Sequence, residues 1–187
     1  GDKGTNRRDI SPEALARQRE EEEREACRIL GVREVVFLRL PDGELEPDLA
    51  FRERIVRQIR AYRPDIVITH DPFRPYALHP DHRAVGITTI DAVYPTARDP
   101  LYFPQHLAEG LEPHKVAELW LFGAQYPDLY VDISETLDVK LAALAAHRSQ
   151  ISAPEELAAR VRERAAEVGA ERGIPYAEAF KVIALRR

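Results

Sequence analysis

The 187-residue sequence has no methionine, one cysteine, one tryptophan and only four lysines, Lys3, Lys115, Lys140 and Lys181. Without a methionine even at position 1, it is expected to be part of a longer reading frame. Cys27 has no internal disulfide partner. It lies in a helical pattern, REACRILGV, where a small apolar residue suits a core, and nothing nearby would lower its pKa to make it a nucleophile. A reducing, cytoplasmic location is therefore expected. No apolar run is long enough to span a bilayer and no basic-then-apolar leader opens the chain, so no membrane partner is expected. The net charge of −5 argues against a nucleic-acid partner held through phosphates.

What is present is an ordinary globular composition, 44% hydrophobic and 32% charged, of a size that predicts one domain over residues 1–187. After a polar loop, Ser11 and Pro12 open a helix that runs to Leu30 and stops at Gly31. Its acidic run, Glu20 to Glu23, is interleaved with arginines and reads as a solvated face. A strand is predicted over 35–40, ended by Pro41-Asp42-Gly43, followed by a helix over 49–62. Residues 65–69 read as an apolar strand of the kind buried in a parallel sheet, followed by a helix over 80–93. Residues 95–114, rich in proline, predict a long surface excursion. Strands follow over 117–122 and 129–133, a helix capped by Ser134 through His147, a helix over 154–173, and a last strand around 180–183. This order predicts a Rossmann-like three-layer α/β/α sandwich with a mostly parallel sheet.

The chemistry concentrates at His79-Pro80-Asp81-His82, just past the carboxyl end of the 65–69 strand, where open α/β sheets bind ligands. With Pro80 in the first helical turn, His79 and His82 lie three residues apart on one side of the helix, and Asp81 can orient an imidazole. His70 and Asp71 end the strand within reach of the same crevice. Imidazole is a common zinc ligand, yet this spacing also suits two helix-start histidines with no metal. His106, His114 and His147 have weaker claims; His147 suits the dipole at a helix C-terminus.

The stretch Thr69-His70-Asp71-Pro72, followed by His79-Pro80-Asp81-His82-Arg83-Ala84-Val85-Gly86, resembles the second signature block of the LmbE-like (PIG-L) zinc-dependent de-N-acetylases. Gly1-Asp2-Lys3-Gly4-Thr5 is similar to the family's glycine-bearing loop, and REEEEREACRILGV to its following helix. Leu40-Pro41-Asp42-Gly43, Val131-Asp132-Ile133-Ser134, Lys140 and Ala146-His147-Arg148-Ser149-Gln150 match further pieces in order. The resemblance implies that His82 binds zinc, or another divalent ion such as iron. It implies that His79 stabilises an oxyanion or protonates a leaving amine, and that Asp81 holds His79 in its charge state. It further implies that Arg19 and Asp42 contact a small N-acetylated sugar substrate; Tyr76 is a weaker candidate at an offset the family pattern does not share. It leaves a symmetric homo-oligomer open.

One family block is absent. A His-Pro-Asp-Asp sequence, which the resemblance implies supplies two zinc ligands and the general base, does not occur here. His82 alone does not make a catalytic zinc site, which uses three protein ligands and a water. The expected activity of the intact protein is metal-assisted removal of an acetyl group from an N-acetylglucosamine-type substrate. Another metal-dependent hydrolase in the same crevice, such as a phosphoesterase, and an inactive fragment or binding module remain alternatives.

Overall fold

A computed structural model describes residues 1–185. Residue contacts gather in two compact units that interleave along the chain. One contains residues 1–42 and 130–178, the other 43–129 and the segment from 179. The strands hydrogen-bond in the order β1-β2-β4-β3, where β1 is Ile66–His70, β2 Glu118–Phe122, β3 Leu129–Asp132 and β4 Ala177–Ala184. The α/β class stands, but the sheet is mixed. β1 runs parallel to β2, with Ile66 opposite Glu118 and His70 opposite Phe122, whereas β2 and β4 are antiparallel.

In the first unit, α1 (Pro12–Leu30) begins and ends as its sequence dictates. Ser11 Oγ accepts the Ala14 amide, Pro12 fills the first turn, and Gly31 takes φ 74° to close the C-terminus. The extended segment after α1 forms no strand: it joins none of the four, and Arg39 interrupts it at φ 51°. No described strand lies beside it as a ladder partner, and an L-residue in the left-handed region breaks the extended geometry at its end. α1 packs on α5 (Leu137–Ala145) through Ala26, Ala143 and Ala146, small side chains that let the helices close up, with Ile29 packed against them. α5 starts two residues later than its sequence predicts. Asp132 Oδ1 accepts both the hydroxyl and the amide of Ser134, a local turn that holds this residue ahead of the helix. α6 (Pro154–Ala170) is also shorter than expected; Gly173, at φ 70°, serves the turn that stops it, with Ile174 N–H donating to Gly169 O.

Nor is the acidic run of α1 uniformly solvated. Glu22 is buried and accepts the hydroxyl of Ser149 at 2.6 Å, the amide of Ser149 at 2.9 Å and Gln18 Nε2 at 3.2 Å.

In the second unit, α2 (Leu49–Tyr62), capped by Asp48, packs on α3 (Pro80–Val93). Val56, Ile59, Ala92, Val93, Ala97, Val116, Leu119 and Leu121 form the core. Each fully buried valine or leucine contributes about 1.5–3 kcal/mol. β1 is not buried on both faces as its apolar run predicts. Val67 packs on this core, but Ile66 and Ile68 point the other way and are 42% and 53% exposed. The long 95–114 excursion is ordered from within by Arg60, only 2% exposed, whose guanidinium donates to the carbonyls of Thr96, Ala97, Asp99, Tyr102 and Phe103. Within it, residues 96–98 form a 3-10 turn and α4 (Gln105–Ala108) a single helical turn.

Candidate active site

The end of β1 and the start of α3 bring four rings into a row. His79 and His82 stack with centroids 4.5 Å apart and planes 17° apart; His82 and His70 stack at 4.0 Å and 13°. His70 in turn meets Phe122, its register partner on β2, at 4.3 Å. The row lies at the carboxyl ends of two parallel strands, the position at which sheets of this kind bind ligands. Local sequence explains each placement. β1 delivers His70 at its last residue, Pro80 starts α3, and His79 becomes its N-cap with Nδ1 accepting the Asp81 amide at 3.2 Å. Arg83 Nη1 holds the preceding turn through the carbonyls of Ala77, at 2.5 Å, and Leu78, at 2.9 Å.

Electrostatics differ along the row. His70 is half-buried, and burial, with smaller contributions from His82 and His79, pushes its pKa below the ordinary histidine value. His79 and His82 are exposed. Because His79 Nδ1 accepts a hydrogen bond, the neutral ring carries its proton on Nε2. The Asp81 carboxylate accepts the Gly43 amide at 2.7 Å and the Leu45 amide at 3.2 Å. Asp81 thus meets His79 through its backbone and ties residues 43–45 to the first turn of α3, where a negative charge is favoured.

Arg19 and Asp42 are together in the first unit. Arg19 donates to the carbonyls of Gly1 at 3.1 Å, of Lys3, and of Gly4 at 2.8 Å, and lies 3.7 Å from Asp42 Oδ2. The Asp42 amide donates to Asp2 Oδ1 at 2.8 Å, and chiefly this bond holds the Asp2 carboxyl down at about 2. Asp2 was not readable as a site residue; its one signal was a place in a glycine-bearing loop. Tyr76 sits in the 73–78 turn at φ 61° with 94% of its surface exposed, outside the stacked row.

The remaining histidines are structural. His106 is fully buried, its Nδ1 3.2 Å from Arg60 and its Nε2 2.5 Å from Glu53. His114 Nε2 lies 2.8 Å from Pro64 O, and His147 lies 3.7 Å from Glu23.

The fold and this row of imidazoles define an α/β protein with a row of rings at the carboxyl ends of two parallel strands. The sequence profile described as PIG-L: GlcNAc-PI de-N-acetylase matches residues 1–93. A diacetylchitobiose deacetylase of Thermococcus kodakarensis is 39% identical over 157 residues, 84% of this chain and 58% of the relative. A probable N-acetyl-α-D-glucosaminyl L-malate deacetylase 2 of Bacillus cereus is 32% identical over 145 residues, 75% of this chain and 61% of the relative. In three dimensions, an N,N′-diacetylchitobiose deacetylase from Pyrococcus horikoshii, complexed with its inhibitor MPG, superposes with a TM-score of 0.92 at 32% identity. That match covers 98% of this chain and 70% of the other. The chain belongs to the PIG-L family. It spans about three fifths of the length of the curated relatives it matches.

Proposed function

We propose that the chain is the LmbE-like domain of a metal-dependent de-N-acetylase, acting on a small N-acetylglucosamine-type sugar. The observation that carries this reading is the juxtaposition of His79 and His82 on the first turn of α3, in a chain similar to enzymes named for that activity.

Zinc fits His82 in donor chemistry, an exposed imidazole on the first turn of α3. The other ligands of a three-ligand set belong to the His-Pro-Asp-Asp block, which these 187 residues do not include. His70 and His79 do not replace it, because their rings lie parallel to that of His82 and in-plane lone pairs of stacked rings do not meet at one point. When bound, such an ion polarises the acetyl carbonyl and acidifies a water.

The chain's own residues supply the rest. His79 donates its Nε2 proton to the oxygen of the acetyl group as negative charge develops there. To pass a proton to the departing amine His79 must be the imidazolium, and then Nδ1 releases the Asp81 amide that it caps in the neutral form. In the neutral form Asp81, whose amide meets the His79 ring, orients it. Arg19 and Asp42 would contact sugar hydroxyls, with Tyr76 a weaker candidate for the same role. The unpaired Cys27, and the lack among the described residues of any helix long and apolar enough to cross a membrane, agree with a cytoplasmic enzyme.

The test is elemental analysis of the protein expressed with its whole reading frame, together with acetate release from diacetylchitobiose. One divalent ion per chain and acetate release that stops on chelation are expected. Full turnover by a metal-free preparation would overturn the reading.

A further inference from the structure

The row of rings is not symmetric about His82. On one side stands His79, exposed, at the N-cap of a helix. On the other stands His70, half-buried, on the last residue of a strand whose register sets it opposite Phe122. Phe122 backs His70 at 4.3 Å, and His70 presents a face to His82 at 4.0 Å with planes only 13° apart.

The backbone enforces the same approach. Gly86 lies one turn beyond His82, and a Cβ there would lie 2.7 Å from the His70 carbonyl oxygen and 3.0 Å from the Pro72 ring. Only a residue without a side chain lets α3 come this close to the end of β1. Two independent features, the stack and the bare helix surface, therefore fix the distance between His70 and His82.

We propose that His70 is a positioning residue: its ring, backed by Phe122, is the fixed wall that holds the His82 imidazole in one orientation. His70 is neither ligand nor acid in this role. What matters is a flat ring of the right size at the end of β1, not its nitrogens. The proposal rests on the reading of His82 as a metal ligand only for its consequence. Groups that orient a ligating histidine are typically worth about 10–100-fold in metal affinity or activity.

The experiment compares wild type with His70→Phe, which keeps the ring, and with His70→Ala and His70→Leu, which remove it. In the metal-free protein, the His82 side-chain torsion is read by NMR from three-bond couplings to its Cγ. One rotamer is expected in wild type and His70→Phe, and averaging in the ringless variants. Should His70→Ala not fold, as judged by circular dichroism, His70→Leu fills the volume and serves alone. A single His82 rotamer in the ringless variants overturns the proposal, and so does averaging in His70→Phe, which would assign the role to a nitrogen.

Zinc affinity is then measured by competition with a chelator. His70→Phe should stay close to wild type, and the ringless variants should weaken binding about tenfold or more. In deacetylation they should lower kcat with KM little changed. Wild type that takes up no metal but shows an ordered His82, lost without the ring, would sink the metal-site reading while the positioning role stands.

Discussion

Gly86 and His70 are in contact through backbone alone: the place where a Gly86 side chain would begin is 2.7 Å from the His70 carbonyl oxygen. This one approach sets α3 against the end of β1. Gly86→Ala forces the helix or the strand end to move, and overpacking of this kind costs about 1–3 kcal/mol. The loss should appear as a lower denaturation midpoint in urea with an unchanged slope, accompanied by loss of the fixed His82 rotamer. An Ala variant with wild-type stability and an unmoved His82 would show that the contact relaxes freely.

His79 and His82 should fail differently. In the protein of full reading frame, His82→Ala is expected to lose the metal, measured by elemental analysis after dialysis. His79→Ala should keep the metal and lose about 10²–10⁴-fold in kcat, the range of positioned proton donors. Equal metal loss in both variants would show His79 to be a ligand, against the parallel stacking of the two rings.

Stability should fall in acid through Glu22. Burial raises the pKa of this carboxyl, but the hydroxyl and amide of Ser149, with Gln18 and His147, outweigh it and leave the folded value below the ordinary one. A depressed carboxyl stabilises the fold at pH above its unfolded value, about 4.3. That contribution is lost as the pH drops from there through the lower folded value. Ser149→Ala removes the hydroxyl donor to a charged acceptor and should cost about 1.5–3 kcal/mol at pH 7. The difference from wild type should shrink in urea unfolding below pH 4.

Arg60 should govern the order of residues 95–111. Its replacement by methionine keeps much of the volume but leaves the carbonyls of Thr96, Ala97, Asp99, Tyr102 and Phe103 without this donor. Four of these carbonyls also accept a backbone amide, so the loss should fall at the lower end of the about 1–3 kcal/mol that an unsatisfied buried acceptor costs. Faster limited proteolysis within this stretch, with cleavage sites mapped by mass spectrometry, is the expected outcome. Unchanged protection would mean that backbone bonds such as Leu111 N–H to His106 O hold the segment unaided.

The sequence carried the local decisions. Ser11-Pro12 and Gly31 bound α1 because capping and left-handed φ depend on residues within one turn. His79-Pro80-Asp81-His82 placed two imidazoles on one helical turn for the same reason, since i,i+3 neighbours on a helix share a face whatever surrounds it. Where a local signal had a competitor, it misled. Ser134 looked like a cap, but with the Asp132 carboxylate two residues away it forms a local turn ahead of the helix.

Tertiary structure decided what depends on neighbours remote in sequence. Strand formation at 35–40 required a ladder partner, and the apolar run of β1 revealed nothing about which face would be covered. Glu22 meets Ser149 across 127 positions, and no pattern in either segment announces that pair. The same holds at the candidate site. The motif named His79 and His82, but the wall behind them, His70 on Phe122, exists only because β1 and β2 pair in parallel register and Gly86 admits the helix. Side-chain chemistry is written residue by residue; the distance between two side chains is set by everything packed around them.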